Sequence, residues 1–155
     1  APMVEEIFTD LTPLAEKSGI TLELAGDGVM TGSDALIYRM IFNLTENAIK
    51  YNRPDGSVRV CITQEPEKLL ILVSDTGRGI PEEYQQSIFQ PFFRVDKSRS
   101  RTFGGAGLGL ALVWEIAALH GGSVRVAESS DSGTTIAAEL PRSGNHATDP
   151  KNETL

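Results

Sequence analysis

The segment Asn43-Leu-Thr-Glu-Asn-Ala-Ile-Lys-Tyr51 closes a stretch in which Leu36, Ile37, Met40, Ile41, Leu44 and Ala48 recur at helical spacing. Ser33 or Asp34 can cap the start of that helix, and Pro54-Asp-Gly56 lies beyond its end. Asn43 and Asn47 stand one turn apart on one face, and Lys50 and Tyr51 follow one turn beyond Asn47. Asparagine is a poor helix former, so this placement calls for an explanation. One explanation is chemical. An amide oxygen is a neutral ligand for a magnesium ion that already shares phosphate oxygens, with Lys50 meeting a phosphate and Tyr51 covering a base. The other is a polar, solvated helix face, and for this segment taken alone the plainer reading is preferred.

Outward from this helix the periodicity changes. Residues 20–24 alternate with period two and close on the turn Ala25-Gly-Asp-Gly28, which predicts a strand. Residues 58–64 and 69–74 are two further strands, joined by Glu65-Pro-Glu-Lys68 as a short hairpin connection. Ile80-Pro81 opens a short helix that Ile88-Phe89 closes. Residues 95–107 show no apolar period and read as a mobile loop, followed by an apolar helix over 108–120 that Gly121-Gly122 ends. Residues 123–128 and 134–140 form a last hairpin, and residues 4–17 form a first helix, bent or broken at Pro13. This order predicts an α+β fold, a two-layer sandwich in which helices cover one face of a mixed, mostly antiparallel sheet.

Composition narrows the function. The chain has 155 residues, 40% of them hydrophobic, enough for one domain with its own core. Fourteen Lys and Arg against 21 Asp and Glu give a net charge of −7, the wrong sign for a non-specific nucleic-acid binder. The longest apolar runs, such as residues 69–73, fall far short of the roughly 20 residues that span a membrane. The first residues lack the basic-then-apolar pattern of a secretory signal, so a cytoplasmic chain without direct membrane contact is expected. A single cysteine, Cys61, forms no internal disulfide, and two histidines, His120 and His146, do not make a protein-only zinc site.

Two glycine-containing segments add chemistry. Asp75-Thr-Gly-Arg-Gly-Ile80 puts an acid at a strand end beside glycines that permit close backbone approach. A half-buried carboxylate there is a suitable acceptor for the exocyclic amino group of adenine, though a tight acidic turn without a ligand reads equally well. Gly104-Gly-Ala-Gly-Leu-Gly-Leu110 carries glycines into a helix start, where free N–H groups and the helix dipole favour an anion. It fits neither the dinucleotide fingerprint nor a P-loop, and alone it reads as a hinge as often as a phosphate site. Just upstream, Arg94, Lys97, Arg99 and Arg101 concentrate positive charge, as a loop closing over polyphosphate or as a solvated linker. Phe89, Phe92 and Phe93 read as packing at the base of that loop.

These segments, in this order, resemble the ATP-binding catalytic domain of two-component sensor histidine kinases, which shares the Bergerat fold of gyrase, a heat-shock chaperone and mismatch-repair ATPases. Asn43–Tyr51 is similar to the N box, Asp75–Gly79 to the first glycine box, Phe89–Asp96 to the F box and Gly105–Leu110 to the second glycine box. The resemblance implies that ATP and Mg²⁺ are the ligands. Asn47 would coordinate the metal with Asn43 assisting, Lys50 would approach phosphate, and Tyr51 would flank the base. Asp75 would bind the adenine amino group in a pocket shaped by Gly77, Gly79 and Ile80, with Thr134 beside it. Arg94, Lys97 and Arg99 would belong to an ATP lid, and Gly105, Gly107, Leu108 and Gly109 would hold the phosphates. Among these, Asn47, Lys50 and Arg94 would serve phosphoryl transfer.

The resemblance also implies partners: a dimerisation domain carrying the phosphoacceptor histidine, and a downstream response regulator. Residues 1–18 would form the junction to that domain, 19–141 the catalytic domain and 142–155 a disordered tail, the chain alone being monomeric. Ala106 departs from the usual Thr or Ser, and neither His120 nor His146 has the acidic neighbour expected of an acceptor. A water-activating Glu, used by hydrolytic members of the fold one turn before the metal-binding Asn, is replaced here by Asn43. A non-catalytic or anti-sigma-type nucleotide-binding module is the alternative of another class.

Overall fold

The computed structural model describes residues 2–90 and 109–142, and the backbone of 152–154. Helix α1 (Pro2–Lys17) buries Val4, Ile7, Leu11 and Ala15, one face at three- and four-residue spacing, and is continuous through Pro13. Helix α2 (Asp34–Lys50) starts at Ser33, whose hydroxyl accepts the Leu36 N–H, so Ser33 rather than Asp34 is the cap. Most of its predicted stripe is inside: Ile37, Met40, Ile41, Leu44 and Ala48 are buried, and Leu36 is half buried. Each of the larger side chains, Ile37, Met40, Ile41 and Leu44, contributes about 1.5–3 kcal/mol when fully removed from water, which outweighs the modest helix propensity of the two asparagines.

Strands β1 (Thr21–Gly26), β3 (Ser57–Gln64), β4 (Lys68–Asp75), β5 (Ser123–Ser130) and β6 (Gly133–Pro141) form one sheet in the order β1-β3-β4-β6-β5. Only the β1–β3 pair is parallel. Parallel neighbours need a crossover, and α2 lies in it. Val58, Val60, Ile62, Leu69, Ile71 and Val73 are buried against α1, α2 and α3 (Gly109–Leu119), while Arg59 and Thr63 on the alternate face stay exposed. The expected α+β sandwich with helices on one sheet face is therefore observed.

Three local features differ from the sequence expectation. Val29–Thr31 forms a short strand, β2, paired antiparallel with Asn152–Thr154, β7, inside the segment expected to be a disordered tail. Arg142, placed at the start of that tail, is anchored: its Nε donates to the Val29 carbonyl at 3.1 Å, and its carbonyl accepts the Thr31 N–H at 2.7 Å. The short helix after Pro81 is two separate 3₁₀ turns, Glu82–Tyr84 and Ser87–Phe89. Among the described residues no helix is long and apolar enough to cross a membrane.

Candidate functional site

Asp75 is the last residue of β4, the central strand of the sheet, and lies half buried. Its Oδ1 accepts two backbone N–H groups, from Gly77 at 2.9 Å and Thr134 at 3.2 Å. Burial pushes its carboxyl above the ordinary aspartate value of 3.8, and these two bonds only partly offset the effect. Among the described residues the second oxygen, Oδ2, meets no hydrogen-bond partner. The carboxylate is thus oriented by one oxygen and offers the other.

The walls around it need close backbone contact. Gly133 has φ +142°, and a Cβ there would lie 1.9 Å from the Asp75 carbonyl oxygen. Gly79 has φ +81°, and its Cβ would lie 2.1 Å from the Ser130 carbonyl oxygen. A bulge between Val126 and Glu128 shifts the register so that Ser129 stands opposite Thr134. Their hydroxyls are 2.9 Å apart, and Ser129 Oγ also accepts the Ile80 N–H at 2.8 Å. Asp75, Gly77, Gly79, Ile80 and Thr134 therefore form one corner, with Thr134 buried in it.

The end of α2 abuts this corner, since a Cβ on Gly77 would lie 2.6 Å from the Tyr51 carbonyl oxygen. Tyr51 caps the helix, its N–H bonded to the Asn47 carbonyl, and its side chain is 43% exposed. Asn43, Asn47 and Lys50 lie on the last turns of α2 and are half buried. Lys50 Nζ stands 3.8 Å from Glu46 Oε1, one turn back. Gly109 opens α3, and a Cβ on it would meet nothing within 4 Å. Arg94, Lys97, Arg99, Gly105, Gly107 and Leu108 lie outside the described residues. Phe89 is buried as expected and packs on Trp114 of α3 with ring centroids 5.6 Å apart.

Sequence reading missed Ser129, Asn52 and Thr76, which hold this corner together through hydroxyl and amide bonds. Ser129 has no sequence signal because its position depends on the bulge. A separate shallow hollow of about 350 Å³, lined by Pro2, Met3, Glu6, Asp34, Ala35 and Tyr38, lies at the opposite end of α2 from Lys50. It shares no residue with the corner around Asp75.

Residues 32–144 match the family model described as histidine kinase-, DNA gyrase B-, and HSP90-like ATPase. Sensor histidine kinase RppB of Synechocystis sp. is 34% identical over 142 residues, which cover 90% of this chain and 31% of that protein. The chain thus spans about a third of the length of this relative. A mycobacterial sensor histidine kinase, MprB, superposes with a TM-score of 0.76 at 30% identity, covering 92% of this chain and 97% of that one. The catalytic domain of histidine kinase ThkA gives a TM-score of 0.80 at 25% identity, covering 92% and 91%. The chain belongs to the histidine kinase-, DNA gyrase B- and HSP90-like ATPase family, with the sequence and fold of the ATP-binding catalytic domain of sensor histidine kinases.

Proposed function

We propose that the chain binds ATP with Mg²⁺ and presents the γ-phosphoryl group to a histidine on a separate dimerisation domain, from which the group passes to a response-regulator aspartate. The observation that carries this reading is the half-buried Asp75 carboxylate, fixed through Oδ1 and open at Oδ2, next to the amide-bearing end of α2. Oδ2 is an acceptor for the adenine amino group, and guanine, with a carbonyl oxygen at that place, is disfavoured. The exposed Tyr51 ring flanks the base.

The donor set fits a hard cation. Asn47, with Asn43 one turn before it, offers neutral amide oxygens, and Mg²⁺ bound to a polyphosphate needs only one or two protein ligands. When bound, the metal neutralises phosphate charge. Lys50 supplies a further positive charge, and Arg94, Lys97 and Arg99 with Gly105, Gly107, Leu108 and Gly109 complete the phosphate side. Phosphoryl transfer of this kind depends on positioning and charge neutralisation rather than on a general base in this chain. With Asn43 in place of a water-activating Glu, steady ATP hydrolysis by the chain is expected to be slow.

The ThkA kinase has been solved with a response regulator, TrrA, and the same kind of partner is expected downstream of this chain. The test is a calorimetric titration with ATP and GTP, each with and without Mg²⁺, followed by labelled ATP with a purified acceptor-histidine domain. ATP binding that exceeds GTP binding, with label on the acceptor, is the expected result. Indifference to adenine nucleotides at millimolar concentration removes the proposal.

A further inference from the structure

Every polar atom of the Asn52 side chain is engaged where α2 ends. Nδ2 donates to the Ser57 carbonyl at 2.8 Å, and Oδ1 accepts the Arg53 N–H at 2.8 Å and the Thr76 hydroxyl at 2.9 Å. Thr76 Oγ1 in turn accepts the Ser57 N–H at 2.9 Å, which uses both its donor and an acceptor position. The closed ring joins three segments: the end of α2, the start of β3 and the turn directly after Asp75. There is no slack in it, because a Cβ on Gly56 would lie 2.4 Å from both Asn52 Oδ1 and Thr76 Oγ1. The next residue extends the connection. Arg53 reaches from the same loop to the Asp131 carbonyl at 2.6 Å, in the turn that leads into Gly133 and Thr134.

We infer that Asn52 and Thr76 are positioning residues of the nucleotide site, which hold the base-selecting carboxylate at a fixed distance from the helix end that meets the phosphates. The inference rests on the reading of Asp75 and Asn47 given above. The carboxylate and Thr76 are adjacent in sequence, and Asn52 follows Lys50 and Tyr51 directly, so the ring spans the gap between the two halves of the site. A fixed spacing matters only to a ligand that engages both halves. ATP does so through its phosphates at Asn47 and Lys50, whereas adenosine, which carries none, reaches only the Asp75 corner and the Tyr51 ring beside it.

The test measures dissociation constants for Mg·ATP and for adenosine, the latter by displacement of a fluorescent nucleotide, on the wild-type chain and on Thr76→Val, Thr76→Ser and Asn52→Ala. Thr76→Val removes the hydroxyl, and with it the bonds to Asn52 and Ser57, with little change of shape, and is expected to weaken Mg·ATP about five- to tenfold while adenosine changes less than twofold. Thr76→Ser restores the donor and is expected to stay within twofold of wild type for both ligands. Asn52→Ala is expected to show the larger loss of the same kind, with thermal melts reporting its folded fraction. A purely structural role lowers the fraction of competent protein and leaves the ratio of the two constants untouched, and that result for Thr76→Val overturns the inference. Failure of the wild-type chain to bind ATP instead overturns the functional reading beneath it.

Discussion

Replacing Asp75 by Asn separates what this carboxylate does for binding from what it does for folding. Asparagine keeps an oxygen at Oδ1 for the Gly77 and Thr134 N–H groups and puts an amide nitrogen at Oδ2. A donor then faces the adenine amino group where an acceptor is needed. Loss of a hydrogen bond to a charged partner costs about 1.5–3 kcal/mol, so ATP affinity is expected to fall about ten- to a hundredfold. Stability is expected to move the other way. Because burial raises the carboxyl's folded-state pKa above 3.8, ionising it disfavours the fold: the group's contribution is fully present below 3.8 and is lost as pH rises through the raised value. At pH 7 the neutral variant escapes that penalty. The variant is therefore expected to melt somewhat above wild type at pH 7, by an amount limited by the part of the carboxyl that still meets solvent. Calorimetric titration with ATP and thermal melts at pH 7 and pH 3.5 check both halves, the melting difference shrinking at the lower pH. A variant that melts below wild type at pH 7, or that binds ATP as wild type does, refutes the reasoning.

Other expected outcomes concern the helix layer and the metal. Tyr38→Phe removes the bond from the Tyr38 hydroxyl to Asp10 that ties α2 to α1, and is expected to cost about 1 kcal/mol in urea unfolding at pH 8. That bond pushes the Tyr38 hydroxyl from 10.0 up to about 12, so its stabilisation is full below pH 10, is lost as pH rises through about 12, and is absent from the Phe variant throughout. His120→Ala leaves the Ser33 N–H and the Ile116 carbonyl without the ring nitrogens they meet at 3.3 and 2.8 Å, and opens a void against Gly32; a loss of about 2–4 kcal/mol in denaturant unfolding is expected. Asn47→Asp changes a neutral oxygen ligand to a charged one and removes a donor. It is expected to lower Mg²⁺-dependent labelling of an acceptor domain by tenfold or more while the circular dichroism spectrum stays unchanged, and unaltered labelling rejects the ligand role.

The helices and core strands were legible because burial imposes a period. The stripe Ile37, Met40, Ile41, Leu44, Ala48 fills the interior as its spacing predicts, and Val58, Val60 and Ile62 alternate inward as strand residues should. The hairpin partners were legible from their short connections, β3 with β4 and β5 with β6, but the other neighbours were not, because period two states which face is buried and says nothing of neighbours. The parallel β1–β3 pair is the clearest case. β2 was hidden for a different reason: Val29-Met-Thr31 is too short to show alternation, and it follows directly on the turn at residues 25–28. In the site, Asp75 and its glycines announced themselves as an acid at a strand end with permissive backbone. Asn52, Thr76 and Ser129 did not, since each is an ordinary turn or strand residue whose bonds arise only after three distant segments have met.

Those bonds also divide the site into two halves with different costs of binding. On the proposed base side, Asp75 Oδ1, the Ile80 N–H and the Thr134 hydroxyl already have protein partners, so an adenine bound there would meet groups that need no reordering. On the proposed phosphate side Lys50 is held, among the described residues, only by Glu46 at 3.8 Å, a one-turn pair whose side chains retain 23% and 33% of their exposure. Such a pair is worth well under about 1 kcal/mol, so exchanging it for a phosphate costs little. Preorganisation therefore sits where selection is needed, and adaptability where charge alone suffices. A nucleotide analogue altered at the base should accordingly lose affinity more steeply than one altered at the γ-phosphate, because the rigid half has no way to accommodate it and Lys50 has.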